Sequence, residues 1–329
     1  MLSIGPLTLQ SRLILAPLSG ISDLPFRMIN KSFGCELAFV EMINARSMSY
    51  KSKKTKQMLS TAKNDRPLGV QLIGCEPRYI LRSLEILNSY EFDLLDFNAA
   101  CPAKKVTRRG EGASLLKNPK KLSSLVSLIV KNSRLPVSVK IRTGWNSQAV
   151  NSKDIALAAQ DAGACALFVH GRTREQYYSG AVDYAAIREV KQNVRIPVIA
   201  SGDILSAALA QHMLNETDCD GLLIARGALG NPWIFPQITA ALTRKEIKEN
   251  FRYSIKKLIE IMTDHLESCV NFYGEKIGVM RFRKFYVWYT KGIDNVRPLR
   301  QKSSLAKTKK AMEDLIHSIA SLNKESVRV

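Results

Sequence analysis

Apolar runs of five to seven residues recur along the first 230 positions, and each is followed by a spacer long enough for a helix. The runs are Leu13–Pro17, Leu37–Glu41, Leu68–Ile73, Phe92–Asn98, Pro136–Lys140, Ala166–His170, Ile196–Ala200 and Gly221–Ala225. A strand with no alternating polar positions is buried on both faces, so this rhythm predicts a parallel sheet covered by helices. Eight such units in about 230 residues match a (β/α)8 TIM barrel, which typically takes ~250. A doubly wound open sheet is the alternative. Its first turn usually carries G-x-G-x-x-G, and Leu18-Ser19-Gly20-Ile21-Ser22-Asp23 does not.

Past Pro232-Trp233-Ile234-Phe235 the pattern changes. Ile255, Leu258, Ile259, Met262 and Leu266 recur at helical spacing, as do Met312, Leu315, Ile316, Ile319 and Leu322. The chain thus divides into a barrel over 1–242 and a small helical bundle over 243–329, with a frayed tail after Leu322. Within the bundle, Arg281-Phe282-Arg283-Lys284-Phe285-Tyr286-Val287-Trp288-Tyr289-Thr290-Lys291 is expected to pack its aromatics inward and turn its bases outward.

Charge sharpens this picture. The 329 residues carry a net +20, and the excess is localised. Residues 42–66 hold seven Lys/Arg against one acid, 101–121 seven against one, and 274–310 eleven against two, which leaves the rest near neutral. Concentrated positive charge points to a polyanion, and nucleic acid is the expected partner. No apolar run approaches the ~20 residues of a membrane span, and Met1–Gln10 lacks the pattern of a secretory signal. The six cysteines are scattered, with no C-x-x-C and no histidine cluster. That fits a reducing cytoplasm and argues against zinc or another metal. A monomer is expected.

A barrel works at the C-terminal ends of its strands. Those ends bring Pro17, Glu41, Gln71, Asn98 with Cys101, Lys140, His170, Ser201-Gly202-Asp203 and Arg226-Gly227. Cys101 lies on a Pro-stiffened loop beside Asn98, Lys104 and Lys105, where an acid or nucleophile would sit. The two lysines are expected to pull its thiol pKa down and to face outward. Gly202 and Gly227 close the last two strands, where barrels commonly bind phosphate, and Arg226 adds charge. A phosphorylated cofactor or substrate follows. Lys140 is placed to sit over the pyrimidine edge of a flavin and stabilise its anionic reduced ring.

With these residues collected, the chain resembles the tRNA-dihydrouridine synthases, most closely the bacterial B-type branch. The similar stretches are Ala16–Arg27, Asn98–Val106, Val139–Trp145, His170–Arg174, Ile199–Asp203 and Ile224–Phe235. The resemblance implies an FMN-bearing barrel that reduces uridine in tRNA to dihydrouridine with NADPH as electron donor. It implies that Cys101 gives the proton to C5 of the uracil and that Asn98 lies beside the target base. Pro17, Leu18 and Ser19 would meet the flavin ring. Gln71, Lys140 and His170 would surround ring and ribityl chain, and Ser201, Gly202, Asp203, Ala225 and Arg226 the phosphate. Lys104, Arg142, Arg172, Arg281, Arg283 and Lys284 are expected on the tRNA. This chain departs from the family at Ala99-Ala100, where Met-Gly is usual, at Ser201, where Asn is common, and at Ala225, where Gly is common. Two other readings stay open: an FMN barrel acting on a free small molecule, as dihydroorotate-type oxidoreductases do, and a tRNA-binding protein without catalysis.

Overall fold

The computed structural model describes residues 1–50, 53–243 and 254–322. Its strands are β1 (Leu2–Ile4), β2 (Leu7–Leu9), β3 (Leu13–Leu15), β4 (Ala38–Phe39), β5 (Ile43–Asn44), β6 (Leu68–Ile73), β7 (Leu94–Asn98), β8 (Val137–Arg142), β9 (Ala166–His170), β10 (Val198–Ser201) and β11 (Gly221–Ile224). From β3 the parallel sheet runs β3-β11-β10-β9-β8-β7-β6-β4. A parallel bridge between Ile14 and Leu37 joins β3 to β4, so the sheet closes into the expected (β/α)8 barrel. All eight apolar runs become barrel strands. The second is interrupted, and β5 continues its path by pairing Ile43 with Leu72 of β6.

The expected burial on both faces holds: every residue of β6, β7, β10 and β11 is buried. Inward-facing side chains such as Ile14, Phe39, Leu94, Phe168, Ile199 and Leu223 form a core inside the barrel, distinct from the larger core between barrel and helices. The antiparallel hairpin β1–β2 is absent from the sequence reading. Its Leu2, Ile4 and Leu9 are buried in the inner core, so the hairpin plugs the barrel at the end opposite the strand C-termini.

The helices are α1 (Leu24–Ser32), α2 (Ala45–Ser49), α3 (Lys53–Met58), α4 (Pro77–Leu87), α5 (Lys104–Thr107), α6 (Pro119–Asn132), α7 (Ser152–Asp161), α8 (Tyr184–Asn193), α9 (Ala207–Thr217), α10 (Ile234–Leu242), α11 (Ile255–Tyr273), α12 (Glu275–Tyr289), α13 (Arg297–Leu305) and α14 (Lys309–His317). Their starts are written locally. Asp23 and Asn118 each accept an N–H of the first turn, from Phe26 at 3.1 Å and Lys121 at 2.9 Å, with Pro25 and Pro119 preset for helix entry. The last four helices form the expected C-terminal bundle; the proposed boundary after 242 falls beside residues 244–253, which lie outside the described residues, as does the tail after Leu322. The bundle docks on α1: Phe26 stacks on Phe285 at 5.5 Å, with His265 beside both. The approach is close enough that a Cβ on Gly230, at φ +65°, would lie 2.3 Å from the Trp288 carbonyl carbon.

Candidate active site

The strand C-termini surround a cleft of about 430 Å³. Its wall is largely apolar, from Ala16, Pro17, Leu18, Met42, Leu223 and Leu229, and its polar groups are few and concentrated. Gln71, Asn98, Lys140, Arg142, His170 and Ser201 enter it from five neighbouring strands because they occupy the inward face of each pleat. Register sets them side by side: Asn98 pairs with Lys140, Arg142 with His170, and His170 with Ser201. Ser19, Cys101, Gly202, Asp203, Ala225 and Arg226 complete the lining from the loops above.

Cys101 is held from two directions. The Asn98 Oδ1 accepts the backbone N–H groups of Ala100 at 2.9 Å and Cys101 at 2.8 Å. The Arg142 Nε donates to the Ala100 carbonyl at 2.8 Å, while its Nη1 donates to the Thr173 and Tyr177 carbonyls. The Ala99-Ala100 pair is buried and accommodated in this turn. Burial pushes the Cys101 thiol above its ordinary value and outweighs the attraction of Arg142 and Lys105. This reverses the direction expected from the neighbouring lysines, because Lys104 and Lys105 are exposed on α5 and water screens them.

Burial also moves Lys140, Asp96 and His170 toward neutrality. It lowers Lys140 against the attraction of Asp96 and raises Asp96 against hydrogen bonds from Gln71 and Ser138, while the two opposite charges favour each other's ionised form. The Lys140 Nζ lies 3.4 Å from Ser201 Oγ. His170 is depressed by burial and then by Arg142, Lys140, Arg172 and Arg226, so its imidazole is neutral.

At the end of the cleft beside β10 and β11, Asp203 pairs with both Arg172 and Arg226, and these bonds hold its carboxyl below the usual range. Gly202 at φ +138° makes the turn there, a conformation L side chains rarely adopt. Arg226 is thereby held against the ring of Tyr178, 5.4 Å from its centroid. The arrangement suits a flat ring with an apolar face and acceptors on one edge, carrying an anionic tail toward Arg226.

Of the bases expected on the tRNA, Arg142 lines the cleft and the others lie outside it. Arg172 is 2% exposed and donates to the Ser179 and Gly180 carbonyls as well as to Asp203. Lys104 stands exposed on the rim. Arg281, Arg283 and Lys284 are each half-buried rather than turned to solvent. Arg281 stacks on Tyr273, 4.3 Å from its centroid and 3.8 Å from Asp23; Arg283 donates to the Ala306 carbonyl; Lys284 donates to the Gly20 carbonyl. Glu41, read as a strand-end site residue, instead accepts the Gly20 N–H. Tyr178 escaped the sequence reading although Tyr177-Tyr178-Ser179-Gly180 follows the basic Arg172-Thr173-Arg174; an exposed aromatic beside bases was the available signal.

The family model for dihydrouridine synthase (Dus) matches residues 14–324. A probable tRNA-dihydrouridine synthase of Rickettsia conorii is 37% identical over 96% of this chain and 95% of its own length. One from Rickettsia bellii is 38% identical over 96% and 97%. A tRNA-dihydrouridine synthase B of Pasteurella multocida is 36% identical over 91% and 89%. The match runs from the first barrel strand through the last helix, so barrel, cleft and bundle are inherited together, and the chain belongs to the dihydrouridine synthase family.

Proposed function

We propose that this protein reduces uridine in tRNA to 5,6-dihydrouridine, with FMN in the cleft, NADPH as electron donor and Cys101 as the proton donor. Family membership supports the reaction, and the observation that carries the residue assignment is the half-buried thiol of Cys101, its pKa raised, lining the same cleft as Lys140 and Arg226. The donor set fits a flavin nucleotide: an apolar wall at Pro17 and Leu18 with Ser19, side-chain donors at Gln71 and Lys140, and a guanidinium at Arg226. Gln71 and Lys140 would meet the polar edge of the ring and His170 the ribityl chain. Ser201, Gly202, Asp203 and Ala225 would surround the phosphate beside Arg226. The chemistry FMN supplies when bound is hydride for C6 of the uracil, replenished from NADPH.

The remaining work belongs to the chain. Cys101 gives its proton to C5, for which a thiol kept protonated by burial is suited at neutral pH. Asn98 fixes the turn that carries it. A uridine stacked in folded tRNA must be swung out to reach the cleft, at a cost of a few kcal/mol. Phosphate contacts would offset that cost, from Lys104 with Lys105, Arg108 and Arg109 around α5 and from the helical part as a tRNA-binding domain.

Cys101→Ala tests the assignment. It should retain FMN and oxidise NADPH at the wild-type rate, yet lose about 100-fold or more in dihydrouridine formed per tRNA, the usual range for removing a general acid. Turnover near wild type would make Cys101 a structural residue.

A further inference from the structure

Beneath the cleft lies a charged side chain that no lining residue replaces. Asp96 of β7 is 1% exposed and sits one layer below Asn98, on the same face of the strand. It accepts Ser138 Oγ on Oδ1 at 2.8 Å and Gln71 Nε2 on Oδ2 at 2.6 Å. Gln71 Oε1 accepts Asn98 Nδ2 at 2.8 Å, and Asn98 Oδ1 accepts the Ala100 and Cys101 N–H groups. An unbroken buried chain therefore runs from Asp96 through two amides to the turn that carries the thiol.

The direction of this chain matters. Primary amides can present either end, but Asp96, its charge attracted by Lys140, accepts on both carboxylate oxygens. Asp96 therefore requires the Nε2 end of Gln71, which leaves Oε1 for Asn98. Asn98 must then present Nδ2, which leaves Oδ1 for the two peptide N–H groups. Reversing Gln71 would set acceptor against the Asp96 carboxylate and donor against Asn98, and reversing Asn98 would set donor against donor at the Cys101 turn and leave its buried N–H groups without an acceptor.

We propose that Asp96 is the positioning residue for Cys101: its carboxylate orders the amides of Gln71 and Asn98 and so fixes the turn that presents the thiol. The placement of the turn stands on these hydrogen bonds alone; its value to the reaction rests on the assignment of Cys101 as proton donor.

Peptide-resolved alkylation by iodoacetamide separates the two. Rates at Cys101 are measured on the full chain, with and without FMN, across a pH series centred on 8 so that accessibility is distinguished from a shift in the thiol's own titration. Cys75, the partly exposed thiol bonded to the Arg109 carbonyl, is the internal control. Asp96→Asn offers a donor as well as an acceptor, so the amides lose their imposed direction. Cys101 should then react about tenfold faster while Cys75 is unchanged. Adding Gln71→Glu to Asp96→Asn moves the acceptor-only group one link along, restores the orientation of Asn98 and should return Cys101 to within about twofold of wild type. Ser138→Ala removes a hydrogen bond of Asp96 without touching the direction and should leave Cys101 unchanged.

Three results would overturn the proposal: no acceleration in Asp96→Asn, a double variant no better protected than the single one, or an equal rise in Ser138→Ala. If Asp96→Asn does not fold, the double variant is compared directly with wild type, and a tenfold excess there overturns it. The Cys101→Ala turnover assay is independent: Cys101 can prove dispensable for tRNA reduction while Asp96 still governs its exposure.

Discussion

With no exposed surface, His265 of α11 lies among Phe26, Phe282 and Phe285 and shares a 3.0 Å hydrogen bond with the Tyr289 hydroxyl; its Nε2 has no partner among the described residues. Burial lowers its pKa to about 3, so the folded protein holds it neutral. The unfolded chain protonates it at the ordinary ~6.5, so below that pH the unfolded state binds the extra proton and stability falls with pH until about 3. Between pH 7 and 5 this one group should cost about 2 kcal/mol. Urea denaturation at the two pH values should show wild type losing that much more than His265→Gln, and an equal loss in both would contradict it. The same physics acts at Cys101, where burial raises the pKa of the thiol. Single residues in the sequence announce none of this. Lys104 and Lys105 are visible beside Cys101, but the desolvation that outweighs them comes from residues distant in the chain.

At the scale of elements, the barrel was legible because each strand is a continuous apolar run, and the cleft because inward residues near the strand ends are polar. What was hidden required register or a second buried face. Asp96 reads as one acid in an apolar strand; only the pairing of Gln71, Asp96 and Ser138 across β6, β7 and β8 reveals its partners. The hairpin β1–β2 is too short to show a period. Helix α12 is the instructive case. An amphipathic pattern implies one buried face, yet α12 packs on α11 and, through Phe285 on Phe26 and Lys284 on the Gly20 carbonyl, on the barrel as well, so the intervening bases meet protein as well as water. Arg283 and Lys284 tie down the Ala306 and Gly20 carbonyls, and Arg281 faces Asp23. Replacing Arg281, Arg283 and Lys284 together by alanine should therefore lower the melting transition by several degrees, since hydrogen bonds from charged groups contribute about 1.5–3 kcal/mol each. The salt dependence of tRNA binding should stay within one unit of slope of wild type. A slope flatter by two or more, with an unchanged melt, would put these bases on phosphates instead.

The whole molecule joins a barrel to a bundle whose Lys284 and the barrel's own Glu41 grip opposite ends of the Gly20 residue, on the loop that supplies Pro17, Leu18 and Ser19 to the cleft. The C-terminal part thus steadies one wall of the cleft as well as extending the surface beyond it. The other end of the barrel has a different consequence. Among the described residues, Leu2, Ile4 and Leu9 fill the floor, so the cleft opens at the strand C-termini, and a ring bound across it would expose a single side to arriving molecules. Under the proposed function, a dinucleotide and an everted nucleotide of tRNA would both approach from that side, so reductant would leave before the RNA entered. The two substrates should act in alternation, with parallel double-reciprocal plots and each inhibiting competitively at excess of the other; intersecting lines would mean a second way in.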